Sequence, residues 1–397
     1  MSSKINNAVP PGIRDWAPGN AWVKRELEAR LAALFQEWGY REVITGTVEY
    51  ENVIARGLSH EEKCQLYRFF GRDGEVLTLR PDMTTPIARM IVSQLREAFL
   101  PLRLFYTANV FRHEKVQAGR YREFYQAGVE LVGTDDAGAD AEVVILAAEA
   151  LRRLGVEDFK IGIGQVKLLD ALLRTCSLTE NQRLEMKTVL ANKDFAAVDD
   201  LVAHWNLKGV QLQVIESLTG IYTIEKFISS FQGVSSKKTD VRDEFQRLKD
   251  TLVLLEDAGL RDDVFVDLGV TRDFGYYSGA VFEIYSPGLG FPICGGGRYD
   301  NLLGQFGFDC PATGFALGLE RIILVLKRID RLPVDETPEY IVGGNDCGPV
   351  FRRAQELRKH GYYVTVDFSS RTASELKMSA SSVGISHAEF VGGEGVR

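Results

Sequence analysis

The stretch Arg103–Gly133, RLFYTANVFRHEKVQAGRYREFYQAGVELVG, reads as strand, basic loop, strand. Leu104 to Phe111 is an apolar and aromatic run, and Phe124 to Leu131 alternates Tyr125, Ala127, Val129 and Leu131 against Phe124, Gln126, Gly128 and Glu130. That period of two marks a strand with two different faces. The first set makes a core face. The second makes a poor one, because a buried carboxylate is costly unless it is paired. Gln126 and Glu130, flanking a Gly128 without a side chain, instead suit the floor of a pocket for a small cation. The connecting loop gathers Arg112, Arg120 and Arg122 in an otherwise acidic chain. It reads either as a dock for a polyanion such as a triphosphate or as a hairpin whose arginines are solvated.

Composition bounds the rest. A chain of 397 residues favours two or three domains, and 45% hydrophobic residues is ordinary for a globular protein with a sizeable core. A net charge of -8 argues against a general nucleic-acid binder, so tRNA is not an expected partner, although a local basic cleft remains compatible with it. Cys64, Cys176, Cys294, Cys310 and Cys347 are odd in number, scattered and without metal-ligand spacing. They fit a reducing compartment, and neither a metal nor a cofactor is expected. The N-terminus has no apolar signal region, and Glu320 and Arg321 interrupt the apolar run after Phe315. A cytoplasmic protein that does not enter the membrane is expected.

From the N-terminus, a Pro-rich lead-in at Val9 to Pro18 precedes Val23, Leu27, Leu31, Leu34, Phe35 and Trp38, whose spacing predicts an amphipathic helix over Asn20 to Trp38 stopped by Gly39. A strand running into a loop follows, and then a hairpin turning at Arg72-Asp73-Gly74. Its far strand ends in Arg80-Pro81-Asp82-Met83-Thr84-Thr85-Pro86, where the two prolines fix the backbone around Asp82 and Thr84. These two side chains serve either a site or the cap of the next helix. Asp135 and Asp136 are placed to cap a long helix ending at Gly155. Residues 166–253 have helical periodicity with polar breaks and read as a helical insertion. Beyond them, Arg272, Tyr276 and Tyr277 fall in a glycine-rich turn before a strand at Val281 to Tyr285. Cys294-Gly295-Gly296-Gly297-Arg298-Tyr299-Asp300 reads as a Gly-rich turn that lets backbone approach a flat ligand. Gly314 to Arg321 reads as the start of a helix, with Arg321 available to a phosphate.

Taken together, these segments resemble the class II aminoacyl-tRNA synthetases. Arg103–Gly133 is similar to the second class motif in its histidyl-tRNA synthetase version, GFALGLERIILVL to the third, and TRDFGYYSG to the histidine-specific loop. The resemblance implies an α+β fold, an antiparallel sheet flanked by helices over residues 1–330, with the helical insertion at about 166–253 and a shortened anticodon-domain-like α/β segment at 336–397. It also implies a histidine site made of Asp82, Thr84, Gln126, Glu130, Arg272, Tyr276 and Tyr277, and a nucleotide site, retained or vestigial, made of Arg112, Glu114, Arg120 and Arg321.

Departures from the synthetase pattern decide the branch. Where a synthetase reads Arg-Pro-Glu-Gly-Thr, this chain reads Arg80-Pro81-Asp82-Met83-Thr84. This is similar to the regulatory subunits of ATP phosphoribosyltransferase, as are PPGIRDWAP and GGRYDNLLGQFG. The resemblance then implies a non-catalytic subunit for the first step of histidine biosynthesis. Its implied partners are a short-form ATP phosphoribosyltransferase catalytic subunit and L-histidine as feedback effector, and it implies self-association as a dimer through the Asn20 to Trp38 helix. The retained arginines keep an active histidyl-tRNA synthetase as the alternative.

Overall fold

The computed structural model describes residues 8–115, 121–235, 239–270, 276–334, 338–369 and 371–392. Pro18, whose fixed φ suits a first helical turn, opens α1 (Pro18–Glu37). The helix buries Leu27, Leu31, Leu34 and Phe35 along one stripe, and Gly39 at φ +79 ends it. The strand expected next is divided into β1 (Arg41–Glu42) and β2 (Val48–Tyr50), and two short helices follow, α2 (Glu51–Ile54) and α3 (His60–Cys64). The hairpin β3 (Arg68–Phe70) and β4 (Val76–Leu79) turns at Gly74, φ +86, and joins β2 in a small antiparallel sheet. Its last strand delivers the chain to α4 (Thr84–Gln94).

The main sheet is built around β5 (Leu102–Phe111) and β6 (Glu123–Val132), paired antiparallel over their full length. After α5 (Ala137–Arg153), capped by Asp136 accepting from the Gly138 amide, come β7 (Lys160–Gln165) and the helices α6 (Val166–Thr175), α7 (Glu180–Ala191), α8 (Phe195–His204), α9 (Val210–Leu218), α10 (Ile224–Ser235) and α11 (Thr239–Asp257). The chain returns through β8 (Val264–Val266), β9 (Ala280–Tyr285), β10 (Cys294–Arg298) and β11 (Ala312–Gly318) to α12 (Leu319–Arg328). Strand order is β1-β5-β6-β11-β10-β9-β7-β8, antiparallel except for the parallel pairs β1–β5 and β7–β8 at the two edges. Helices α1 and α5 cover one face, where Phe105, Ala127, Val129 and Leu131 join the large core. The stripe on α1 is therefore covered by its own chain.

Two segments differ from their sequence reading. Cys294 to Arg298 is an inner strand of the sheet and not a turn, and Gly314 to Gly318 is a strand as well, with the helix beginning only at Leu319. The reason is space between neighbouring strands. A Cβ on Gly296 would strike the carbonyl of Gly314 and the backbone of Phe315, so glycine lets β10 lie against β11.

The insertion has its own aromatic centre. The Phe227 ring lies 4.7 Å from that of Phe231 and 5.6 Å from that of Phe245. It is stitched to the sheet where Tyr222 and Val266 exchange backbone hydrogen bonds of 2.9 and 2.8 Å. The chain divides into two compact units, Met1–Leu332 and Pro333–Arg397. In the second, the parallel sheet β13-β12-β14 is formed by β12 (Tyr340–Gly344), β13 (Val364–Val366) and β14 (His387–Val391), with α13 (Cys347–Lys359) and α14 (Ala373–Ser382) as crossovers. Val342 packs with Val350, Ala354 and Leu357, and Ile341 with Leu376, Ala380 and Ile385.

Candidate functional site

The pocket opens on the sheet face opposite α1. Strand alternation sends Ala127, Val129 and Leu131 of β6 into the core and presents Gln126 and Glu130 to the other side. The turn between β4 and α4 brings Asp82, Met83 and Thr84 to the same place, and Tyr276 and Tyr277 arrive ahead of β9. Glu130 is held at both oxygens. Thr84 Oγ1 donates to Oε1 at 2.8 Å, and the Tyr299 hydroxyl donates to Oε2. Gly314 across the sheet makes this possible, since a Cβ there would collide with Glu130 Oε2. Tyr276 stacks 4.9 Å from Tyr277 and 5.7 Å from Tyr299 and is hydrogen-bonded to Thr84. Asp82 bonds the first turn of α4 and also lines the pocket. Its Oδ2 accepts from the Thr85 amide and hydroxyl, both at 3.3 Å, while Oδ1 is buried without a hydrogen-bond partner among the described residues.

Burial sets the charges. Glu130 is pushed up to about 8 because desolvation outweighs the two hydroxyl donors, and Asp82 adds to the rise. Asp82 is pushed up to about 6 by its own burial, against the pull of Arg112 and of the Thr85 donors. Burial thus favours the protonated form of Glu130 more strongly than that of Asp82, which is the more readily ionised of the two. The pocket offers an ammonium group a buried anion with an open edge, and it offers a ring nitrogen a carboxyl group that can donate or accept. Free space between these side chains is about 30 Å³, room for about one water. A larger ligand needs side chains of this lining to move.

The structure brings together Asp82, Thr84, Gln126, Glu130, Tyr276 and Tyr277, and adds Arg112 to the same lining. Arg112 Nε donates to the Pro81 carbonyl at 2.8 Å, its guanidinium lies 5.2 Å from the Phe124 ring, and Glu114 approaches it at 3.9 Å. Arg321, on the first turn of α12, donates to the Pro292 carbonyl and packs over Phe291, away from that lining. Arg122 donates to the Glu114 carbonyl, and its amide bonds Gly12 of the lead-in, which gives it a structural role in the hairpin. Arg120 and Arg272 lie outside the described residues.

Tyr299, Tyr106 and Met83 also line the pocket, and none of the three was singled out as a site residue from the sequence. Tyr299 was present in the Gly-rich segment, but its role depends on Glu130 lying 169 positions away. The only local signal was a phenol ending a run of glycines.

Comparison with known proteins finds relatives over the whole chain. The histidyl-tRNA synthetase family model matches residues 12–322. The chain is 42% identical over 392 residues to the ATP phosphoribosyltransferase regulatory subunit of Moorella thermoacetica, covering 99% of this chain and 100% of that one. It is 37% identical over 401 residues to the regulatory subunit of Desulforamulus reducens, covering 100% and 98%. Among solved structures, the ATP phosphoribosyltransferase regulatory subunit/histidyl-tRNA synthetase of Bacillus halodurans superposes with a TM-score of 0.87 at 29% identity, over 99% of this chain and 100% of that one. The histidyl-tRNA synthetase of a Nostoc species shares the fold, with a TM-score of 0.83 at 23% identity over 98% and 92% of the two chains.

Proposed function

The chain belongs to the family of ATP phosphoribosyltransferase regulatory subunits, built on the histidyl-tRNA synthetase fold, and from that premise we propose that its pocket receives free L-histidine as a feedback signal. It is a non-catalytic subunit and works beside a catalytic ATP phosphoribosyltransferase chain. In the proposed assembly that partner is the short form, this chain self-associates as a dimer, and the complex resides in the cytoplasm. Residues 336–397 serve as a remnant of an anticodon-binding module.

One observation carries the histidine reading: two buried carboxyl groups face one small pocket, and one of them keeps an oxygen there that has no hydrogen-bond partner among the described residues. The α-ammonium group goes to Asp82 and Thr84, the imidazole to Glu130 and Tyr277 with Gln126 and Tyr276 beside it, and the carboxylate to Arg272. Arg112, Glu114, Arg120 and Arg321 form the inherited phosphate-binding side. Entry of histidine displaces part of the Thr84–Glu130–Tyr276 arrangement. Ligand binding is therefore tied to two arrangements of the same wall, as a regulatory ligand requires.

The test is calorimetric titration of the purified chain with L-histidine and, separately, with L-phenylalanine. Saturable one-site binding of histidine alone is expected. A folded chain that gives no binding to histidine at millimolar concentration overturns the reading.

A further inference from the structure

We infer that the helical insertion braces the wall of the ligand pocket from the opposite face of the sheet, with Arg247 of α11 and Lys167 of α6 acting as positioning residues that hold Arg298, and through it Tyr299, against Glu130. This rests on the histidine reading of the pocket and adds a route by which the signal leaves it.

The two neighbours Arg298 and Tyr299 stand at the end of β10 and serve opposite faces of the sheet. Tyr299 packs with the pocket side and bonds Glu130. Arg298, fully buried, reaches the other side. There its Nε donates to both oxygens of Asp140 at 2.9 and 3.1 Å, its Nη1 to the Thr134 carbonyl and to Asp300, and its Nη2 to the Asp136 carbonyl. The backbone is pinned as well, with the Arg298 carbonyl accepting from the Ser278 amide at 2.8 Å and the Tyr299 amide donating to the Ala312 carbonyl at 2.7 Å. A chain fixed in this way leaves the Tyr299 phenol little freedom.

Charge balance brings in the insertion. Among Arg298, Asp135, Asp140 and Asp300, the core supplies one cation and three carboxylates. The insertion supplies the two missing cations. Arg247 pairs with Asp135 and stands 3.7 Å from Asp140, and Lys167 stands 3.7 Å from Asp300. Without them Arg298 faces carboxylates carrying two excess negative charges, and the repulsion is strongest around Asp140, which is buried, while Asp300 is half-buried and Asp135 exposed. Its geometry, and that of Tyr299 on the opposite face, then relaxes. Because coupling between two sites is reciprocal, a ligand that moves Tyr299 also acts on α11.

The experiment measures histidine affinity and amide hydrogen exchange over residues 294–300 for the full chain and for Arg247→Ala, Arg247→Lys and Arg242→Ala. Arg242 lies on the same helix, is exposed, and pairs with its neighbour Asp243, so it serves as the control. Arg247→Ala is expected to weaken histidine binding about tenfold and to speed exchange at β10. Arg247→Lys restores affinity to within about twofold, and Arg242→Ala changes neither reading. Unchanged affinity and unchanged exchange in Arg247→Ala overturn the inference, as does a loss that Arg247→Lys fails to rescue, which marks a purely packing role. If the unmodified chain binds no histidine, the pocket reading fails by itself. Exchange at β10 still decides whether the insertion positions this strand.

Discussion

Replacing Glu130 by alanine separates regulation from assembly. In the structure the carboxyl group is the shared acceptor of Thr84 Oγ1 and Tyr299 Oη, and in the proposed complex it is also the partner of the imidazole. Its removal leaves a ring nitrogen of the bound histidine buried without a partner, at a cost of about 1.5 to 3 kcal/mol. At 25 °C this corresponds to roughly a 10- to 150-fold loss of affinity. The two hydroxyls left behind can turn towards each other or towards water in the enlarged cavity, so the fold is retained. The assay is phosphoribosyl transfer by the complex reconstituted with the catalytic partner, followed over a histidine titration. The variant is expected to assemble and to activate the partner normally, with its inhibition curve shifted to higher histidine by about the same factor. An assembled variant whose curve superimposes on that of the unmodified chain refutes the reasoning, because histidine would then be sensed elsewhere.

Three further outcomes follow. Folded-state burial raises Glu130 from 4.5 to about 8, so its favourable contribution is complete below pH 4.5 and is lost as pH rises through 8. Glu130→Gln cannot ionise and should gain stability relative to the unmodified chain across that window, on the order of a few kcal/mol by pH 9; parallel urea-unfolding midpoints of the two proteins at pH 5, 7 and 9 would contradict this. The purified chain should not charge tRNA with histidine, since Met83, almost fully buried, occupies the pocket wall beside Asp82; aminoacylation at ordinary enzyme concentrations would restore the synthetase alternative. The chain should sediment as a dimer. Because the apolar stripe of α1 lies in its own core, Glu substitutions at exposed positions of α1 such as Arg25 and Ala29 test whether that helix contributes, and a monomer at all concentrations of the unmodified chain rejects self-association.

Much of the frame was legible in local pattern. The alternation in Phe124 to Leu131 placed Glu130 on the opposite face from Val129, and β6 has that arrangement. The stripe of α1, the stop at Gly39, the Asp136 cap and the turn at Gly74 are all set within a few residues of themselves, where side-chain period and backbone preference act directly. The same local logic misread β10 and the start of β11. Glycine has no side chain to alternate and a poor intrinsic preference for strands, so the segment carried no periodic signal.

What only the tertiary structure decided is which distant residues meet. Arg298 finds Asp140 across 158 positions, Tyr299 finds Glu130 across 169, and Thr84 finds Glu130 across 46. Each residue type was visible in the sequence, but a side chain's spacing along the chain reports only its own strand or helix. The meeting of β6, β10, β11 and α4 around one pocket depends on long-range pairing, which closes large loops at an entropic cost and is selected by the fit of whole surfaces. The glycines at 296 and 314 are part of that fit, because they matter through the atoms of other strands that occupy the place of their missing side chains.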